Sequence, residues 1–217
     1  MKNILLVDTS YTVHFSVNAT KRWFSFSEPE EYVEIQGDSW LENCKFKNKY
    51  EDMFLKRLEK HIKKYKIDEI LWIQDDCTSN VWRTKLYPDY KGNREDCVNN
   101  SGSVFTYTYK EFLPKLFKDN KFKKFKIKGA EADDIIAITT KYLSNKNYNS
   151  IVVTSDTDFL QLINDNTRFV DLKLKELQFK YSPENDLKIK IIKGDKSDNI
   201  PPIKARIGEK TALKYLQ

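Results

Sequence analysis

Carboxylates are the groups in this 217-residue chain best placed to do chemistry, because they recur just after apolar runs. "ILLVD" ends in Asp8, "ILWIQDD" in Asp75 and Asp76, and "IVVTSDTD" in Asp156 and Asp158. "GAEADDIIAI" (129–138) sets Glu131, Asp133 and Asp134 ahead of another apolar run, and "KGDKSDN" adds Asp195 and Asp198. Like charges roughly 4 Å apart, at an effective dielectric near 20, repel by on the order of 4 kcal/mol per pair. A single acidic helix turn could leave its charges in water. Acids arriving from three strand ends and a helix point instead to a shared cation site. Hard oxygen donors select magnesium, with manganese able to substitute. Zinc fits poorly, since His14 and His61 stand alone and Cys44, Cys77 and Cys97 are scattered. Two hard ions can activate a water and stabilise both oxygens of an in-line displacement, so the expected chemistry is metal-assisted phosphodiester hydrolysis.

The elements that must position these acids are readable in outline. "NILLVD" (3–8), "EILWIQ" (69–74) and "SIVVTS" (150–155) have the continuous apolar character of buried strands. "YEDMFLKRLEKHIKKY" (50–65) and "EADDIIAITTKYL" (131–143) have helical apolar spacing, the second with its acids at the positive helix end. This alternation predicts an α/β fold with a mostly parallel central sheet flanked by helices, where functional groups gather beyond the carboxyl ends of the strands. Residues 18–49 show no clear period and are expected to form an insertion. No apolar run nears the ~20 residues that span a bilayer, so no membrane partner is expected. The absence of a secretory signal and the odd cysteine count predict an intracellular protein, in cytoplasm or nucleoid, or in the nucleus of a eukaryote. With nine candidate site acids set aside, 32 − 9 leaves 23 acids against 38 Lys and Arg, a surplus of +15. That surplus suits a polyphosphate backbone.

Four segments in fixed order carry a family resemblance: "VWRTKLYPDYKGNR" (81–94), "GAEADD" (129–134), "TSDTDFLQL" (154–162) and "GDKSDNIPPIKARIGEKTALKYL" (194–216). Together they resemble the structure-specific 5′-nuclease, or flap endonuclease, superfamily, and "KGDKSDN" followed by "KAR" is most similar to its phage ribonuclease H branch. The resemblance implies a PIN-like 5′-nuclease fold with a catalytic domain over 1–185, an arch-like region near 95–128, and a helix–three-turn–helix duplex-binding element over 186–217. It implies a first metal site of Asp8, Asp75 or Asp76, Glu131, Asp133 and Asp156, with Asp75 favoured because it directly continues the strand. A second site would comprise Asp158, Asp195 and Asp198, with Asp134 between the two. Arg83, Lys91 and Arg94 match basic positions that act at the scissile phosphate. Lys85, Tyr90, Lys204, Arg206, Gly208, Lys210 and Thr211 would contact DNA. Within 95–128, "EFLPKLFKDNKFKKFK" interleaves Phe with Lys, as base stacking beside backbone neutralisation requires. For 109–118 a Phe face packed on the core is the preferred reading.

The family's duplex-gripping loop also holds potassium. Here Pro202 replaces its first glycine and Ala205 and Arg206 replace another, which counts against potassium but not against duplex binding. The implied activity is magnesium-dependent 5′-3′ exonuclease or flap endonuclease cleavage of branched or 5′-ended duplex DNA, and of RNA–DNA hybrids. A monomer is expected, with replication proteins as candidate partners. Two alternatives remain: a non-cleaving branched-DNA binder of the same fold, and a PIN-type RNA-processing nuclease. The acid set argues against the first and the "GDKSDN…IGEKTA" element against the second. A phosphatase using Asp8 would need an acid where Ser10 stands.

Overall fold

An apolar strand without polar alternation must be covered on both faces. In the computed structural model, which describes residues 1–77, 80–93, 102–119 and 121–216, strand β1 (Asn3–Asp8) is covered in this way. Leu5 and Val7 enter one core with Phe54 and Trp72, while Ile4 and Leu6 enter a second with Ile135, Ile136 and Phe159. The other strands are β2 (Glu69–Gln74), β3 (Phe122–Lys126), β4 (Asn149–Val153) and β5 (Thr167–Val170). They form one sheet in the order β3-β2-β1-β4-β5, with every pairing parallel. The sequence of strands therefore reverses direction between β1 and β4, the kind of switch point where open sheets leave a crevice at their carboxyl edge.

The first core lies under α1 (Thr9–Ser27), α2 (Pro29–Glu34), a 3₁₀ turn (Ser39–Glu42) and α3 (Cys44–Tyr65). Residues 18–49 are thus no insertion but the body of this layer. Phe24, Trp40 and Phe46 are buried, with Phe46 packed on both others at ring-centroid distances of 5.0 Å to Trp40 and 5.7 Å to Phe24. The period is hidden because Thr9, Thr12, Ser16 and Thr20 share the buried stripe of α1 with Val13, Val17 and Phe24. The Thr20 hydroxyl returns a 2.7 Å bond to Ser16 O, which makes its burial tolerable.

After the short α4 (Trp82–Leu86), α5 (Gly102–Tyr107), a π turn (Thr108–Phe112) and α6 (Leu113–Leu116) make a helical run. Its Val104, Tyr107, Phe112 and Leu113 are buried in the first core, so this face packs on the core as the sequence suggests. The expected arch over 95–128 does not extend through its end, because residues 122–126 are edge strand β3. Its exposed lysines mimic an amphipathic helix, and Lys123 pairs with Glu69 on neighbouring β2.

On the other face lie α7 (Ala132–Asn145) and a 3₁₀ helix (Thr157–Leu162). Next, α8 (Pro183–Lys193) starts from a Ser182 cap and Pro183 and stops at Gly194, and α9 (Glu209–Tyr215) follows. α8 runs across residues 185 and 186, so the boundary expected there falls inside a helix. No described helix is long and apolar enough to cross a membrane.

Candidate active site

Asp8, Asp75 and Asp156 reach the sheet's carboxyl edge at strand ends, where each also fixes the start of a following or neighbouring helix. Asp8 closes β1 and caps α1, its Oδ1 accepting the Tyr11 N–H at 3.1 Å and its Oδ2 the Thr154 hydroxyl at 3.4 Å. Asp75 follows β2 and accepts the Ala132 N–H at 2.8 Å and the Ser10 hydroxyl at 2.7 Å. Ser10 in turn lies 3.0 Å from the Tyr109 hydroxyl on the π turn. Asp76 points elsewhere: it accepts the Gly129 N–H at 2.8 Å and lies 3.4 Å from Lys126. Asp156 caps the 3₁₀ helix by accepting the Asp158 N–H at 2.8 Å. Asp133 rises from the first turn of α7.

Asp8, Asp75, Asp133 and Asp156 feel one another. Burial, then the charges of Asp75 and Asp156, pushes Asp8 up to about 6. Burial, then Asp8, Asp156 and Asp75, pushes Asp133 up to about 7. Asp156 is raised as well, by burial first and then by Asp158 and Asp198. Carboxyls raised in this way are held near one another at the expense of their charge.

The remaining acids meet the protein's own cations. Glu131, buried, is engaged by Lys91, by Arg83 Nη1 at 2.9 Å and by the Tyr90 hydroxyl at 2.9 Å. Asp134 takes Arg83 at 2.8 Å, Trp82 Nε1 at 3.0 Å and the Glu131 N–H at 3.1 Å. Asp158 and Asp195 share Lys190. Asp198 accepts the Tyr90 hydroxyl at 3.2 Å, with Lys91 Nζ 4.0 Å away. Burial and the facing Glu131 push the Tyr90 phenol up, so it remains a protonated donor.

Asp195 and Asp198 sit on a tight loop closed by two backbone bonds, Asp195 N to Ile200 O at 2.9 Å and Ile200 N to Asp195 O at 2.7 Å. Gly194 opens it at φ +70, where a Cβ would lie 2.4 Å from Ile200 O. This loop is stitched to the turn after α4. Lys91 N bonds Asp198 O at 3.0 Å, the Tyr87 hydroxyl bonds Asn199 O at 3.1 Å, and Asn199 Nδ2 bonds Asp89 O at 2.8 Å.

Asp133, Asp156, Asp158, Asp195 and Asp198 line a cleft of about 990 Å³ that runs from Asp133 and Lys91 past Lys190 to Gly208. Of the residues expected at DNA, Lys85, Lys204, Arg206, Gly208 and Lys210 are exposed and Thr211 is half-buried, whereas Tyr90 is 7% exposed and spends its hydroxyl inside. Arg94 lies outside the described residues. Among the described residues, no three His, Cys, Asp or Glu side chains close into a ready-made metal cage. The donor chemistry of Asp8, Asp75, Asp133 and Asp156, all oxygen and mutually repelling, nonetheless fits a hard divalent cation. Both histidines lie away from it: His61 faces the Arg57 and Asp171 carbonyls, and His14 packs on Phe105. Sequence reasoning missed Lys190, Tyr109 and Asn199. Only Asn199, next to Asp198 in "KGDKSDN", carried a local signal.

A family model described as "5′-3′ exonuclease, N-terminal resolvase-like domain" matches residues 42–191. A 5′-3′ exonuclease of Buchnera aphidicola subsp. Schizaphis graminum is 32% identical over 163 residues, which are 71% of this chain and 54% of that protein. The DNA polymerase I of Lactococcus lactis subsp. lactis is 31% identical over 156 residues, 65% of this chain and 17% of the polymerase. The chain thus spans about half, or much less, of the curated relatives it matches. Two bacteriophage T5 structures share the fold. A 5′-exonuclease with bound zinc ions has a TM-score of 0.65 at 20% identity, and a flap endonuclease in a pseudo-enzyme–product complex with DNA and metal ions has 0.66 at 19%. Each comparison covers 99% of this chain and 74% of the T5 chain.

Proposed function

Because this chain belongs to the 5′-3′ exonuclease family, through its N-terminal resolvase-like domain, we propose that it hydrolyses phosphodiester bonds at 5′ ends or flaps of DNA, with RNA–DNA hybrids as further substrates. The observation that carries this reading is the group Asp8, Asp75, Asp133 and Asp156, repelling carboxylates gathered at the switch point of a parallel sheet. A T5 flap endonuclease of similar fold, solved with DNA and metal ions, supports a metal-dependent activity here. Asp8, Asp75, Asp133 and Asp156 would hold one divalent cation, magnesium first and manganese as a substitute, and Asp158, Asp195 and Asp198 a second. When bound, the ions supply the positive charge that ionises a water and neutralises the reacting phosphate.

The chain's own side chains bind and orient. Lys91 lines the cleft, and with Arg83 it is held at Glu131, placed to meet charge that develops on the scissile phosphate. Glu131 and Asp134 act through these two cations, which engage both Glu131 oxygens and, through Arg83, Asp134 Oδ2. We read α8, the loop that follows it and α9 as the duplex-gripping unit, with Lys204, Arg206 and Lys210 on its exposed side. The test is cleavage of 5′-labelled flap, nicked and hybrid substrates with and without magnesium. Short 5′ products that require the metal are expected. Tight flap binding without cleavage in magnesium or manganese would make the protein a branched-DNA binder instead.

A further inference from the structure

The two halves of the cleft are neutralised differently. The hydrogen bonds to Asp8, Asp75 and Asp156 come from neutral groups, the Tyr11, Ala132 and Asp158 N–H and the Ser10 and Thr154 hydroxyls, while Lys91 and Lys190 act on Asp133 and Asp156 only through space. Asp158 and Asp195 have an ammonium between them. Lys190 Nζ lies 2.8 Å from Asp195 Oδ2 and also donates to Asp158 Oδ2. The other Asp195 oxygen is held by the Ser197 N–H at 2.8 Å and its hydroxyl at 2.6 Å, which keeps the carboxylate facing Lys190. Lys190 rises from the last turn of α8, next to buried Ile189, and its side chain is 35% exposed. Its base is therefore anchored while its flexible stem can turn outward.

We propose that Lys190 is a built-in counter-ion for this half of the cleft, and that a divalent cation enters between Asp158 and Asp195 only by expelling its ammonium. The inference rests on the reading that the cleft holds divalent cations. An ammonium and a hard cation compete for the same oxygens, and a positive charge this close opposes a second one strongly. The two halves then fill in order. The buried carboxylates, with no cation hydrogen-bonded to them among the described residues, bind first. The Lys190 half loads second, and the ammonium relieves the repulsion between Asp158 and Asp195 whenever no divalent ion is bound there.

The test is manganese binding to the full chain without DNA, followed by calorimetry and by the spin-resonance signal of free manganese. Wild type should show one tight site and one weaker by about ten-fold or more. Lys190→Gln should tighten the weak site by about ten-fold and leave the tight site within about two-fold. Lys190→Arg, which keeps the charge, should leave the weak site weak. Adding Asp195→Asn to Lys190→Gln should abolish the tightened site. If Lys190→Gln keeps its circular dichroism spectrum while the weak site stays unchanged or weakens further, the counter-ion role is wrong and the metal reading stands. If wild type binds no manganese at millimolar concentration, both fail together.

Discussion

Asp133 carries the sharpest conflict in the cleft, since it is a carboxyl pushed up to about 7 by burial and by three like-charged neighbours. Asp133→Asn keeps its shape and removes its charge. Cleavage should fall by at least about 100-fold, while flap binding measured in calcium changes only a few-fold. The metal-free variant should also be more stable than wild type, by on the order of 1 kcal/mol, because a repelling buried charge is gone. A variant with wild-type turnover would remove Asp133 from the metal site. Gly194→Ala tests the loop that presents Asp195 and Asp198. A Cβ 2.4 Å from Ile200 O, at φ +70, should cost roughly 2 kcal/mol or more in chemical denaturation. At this scale the sequence was informative about which acids exist, because carboxylates after apolar runs need a reason. It was silent on their partners. That Lys190 meets Asp158 and Asp195 depends on the phase of α8 and the fold of the loop after it, and the chain has many other lysines. The different settings of Asp75 and Asp76 were likewise unreadable, since the Gly129 N–H that Asp76 accepts lies far along the chain.

Elements decide which side chains act together. The π turn Thr108–Phe112 brings the Tyr109 hydroxyl to Ser10, and Ser10 to Asp75, so the helical run α5–α6 is tied to a candidate metal ligand. Burial raises the Tyr109 phenol, so it remains protonated at neutral pH. Tyr109→Phe should leave the melting temperature nearly unchanged and weaken manganese binding by about ten-fold, as loss of a group that orients a ligand does. Unaltered metal affinity would make the contact mere packing. Two basic elements should fail differently. Lys91, on the turn after α4, lines the cleft, so Lys91→Ala should lower the single-turnover rate at saturating DNA. Lys210 is exposed on α9, so Lys210→Ala should weaken binding and flatten its salt dependence by about one phosphate contact. The reverse pattern would turn the substrate around in the cleft. β1 and β2 were legible to the residue because both of their faces are apolar. β3 was not, since an edge strand with exposed lysines has no buried face to betray it. α1 was hidden because hydroxyl residues line its buried stripe.

At the scale of the whole molecule, the two classes of acid pull the pH dependence of stability in opposite directions. Asp8 and Asp133 have folded values near 6 and 7, above the 3.8 of a free aspartate, so the folded state binds their protons more tightly than the unfolded state does. Their contribution is most favourable below about 4, and stability is lost as pH rises through 4 to 7. For Asp195, burial is outweighed by Lys190 and Ser197, which hold it below the usual range. Glu69 is lowered by Lys123 and Lys2. The contribution of these two is present above about 4 and is lost as pH falls below it. Metal-free protein should therefore be most stable near pH 4 and should lose on the order of 5 °C in melting temperature by pH 8. Magnesium should reverse the slope. At pH 8 the clustered carboxylates are ionised and bind it, raising the melting temperature by linkage, whereas at pH 5 protons on Asp8 and Asp133 compete with it. Calorimetric scans across this range, in chelator and in millimolar magnesium, read both effects. A metal-free melting temperature that climbs steadily from pH 5 to pH 8, or one indifferent to magnesium at pH 8, would mean that the buried acids are already satisfied by the protein itself.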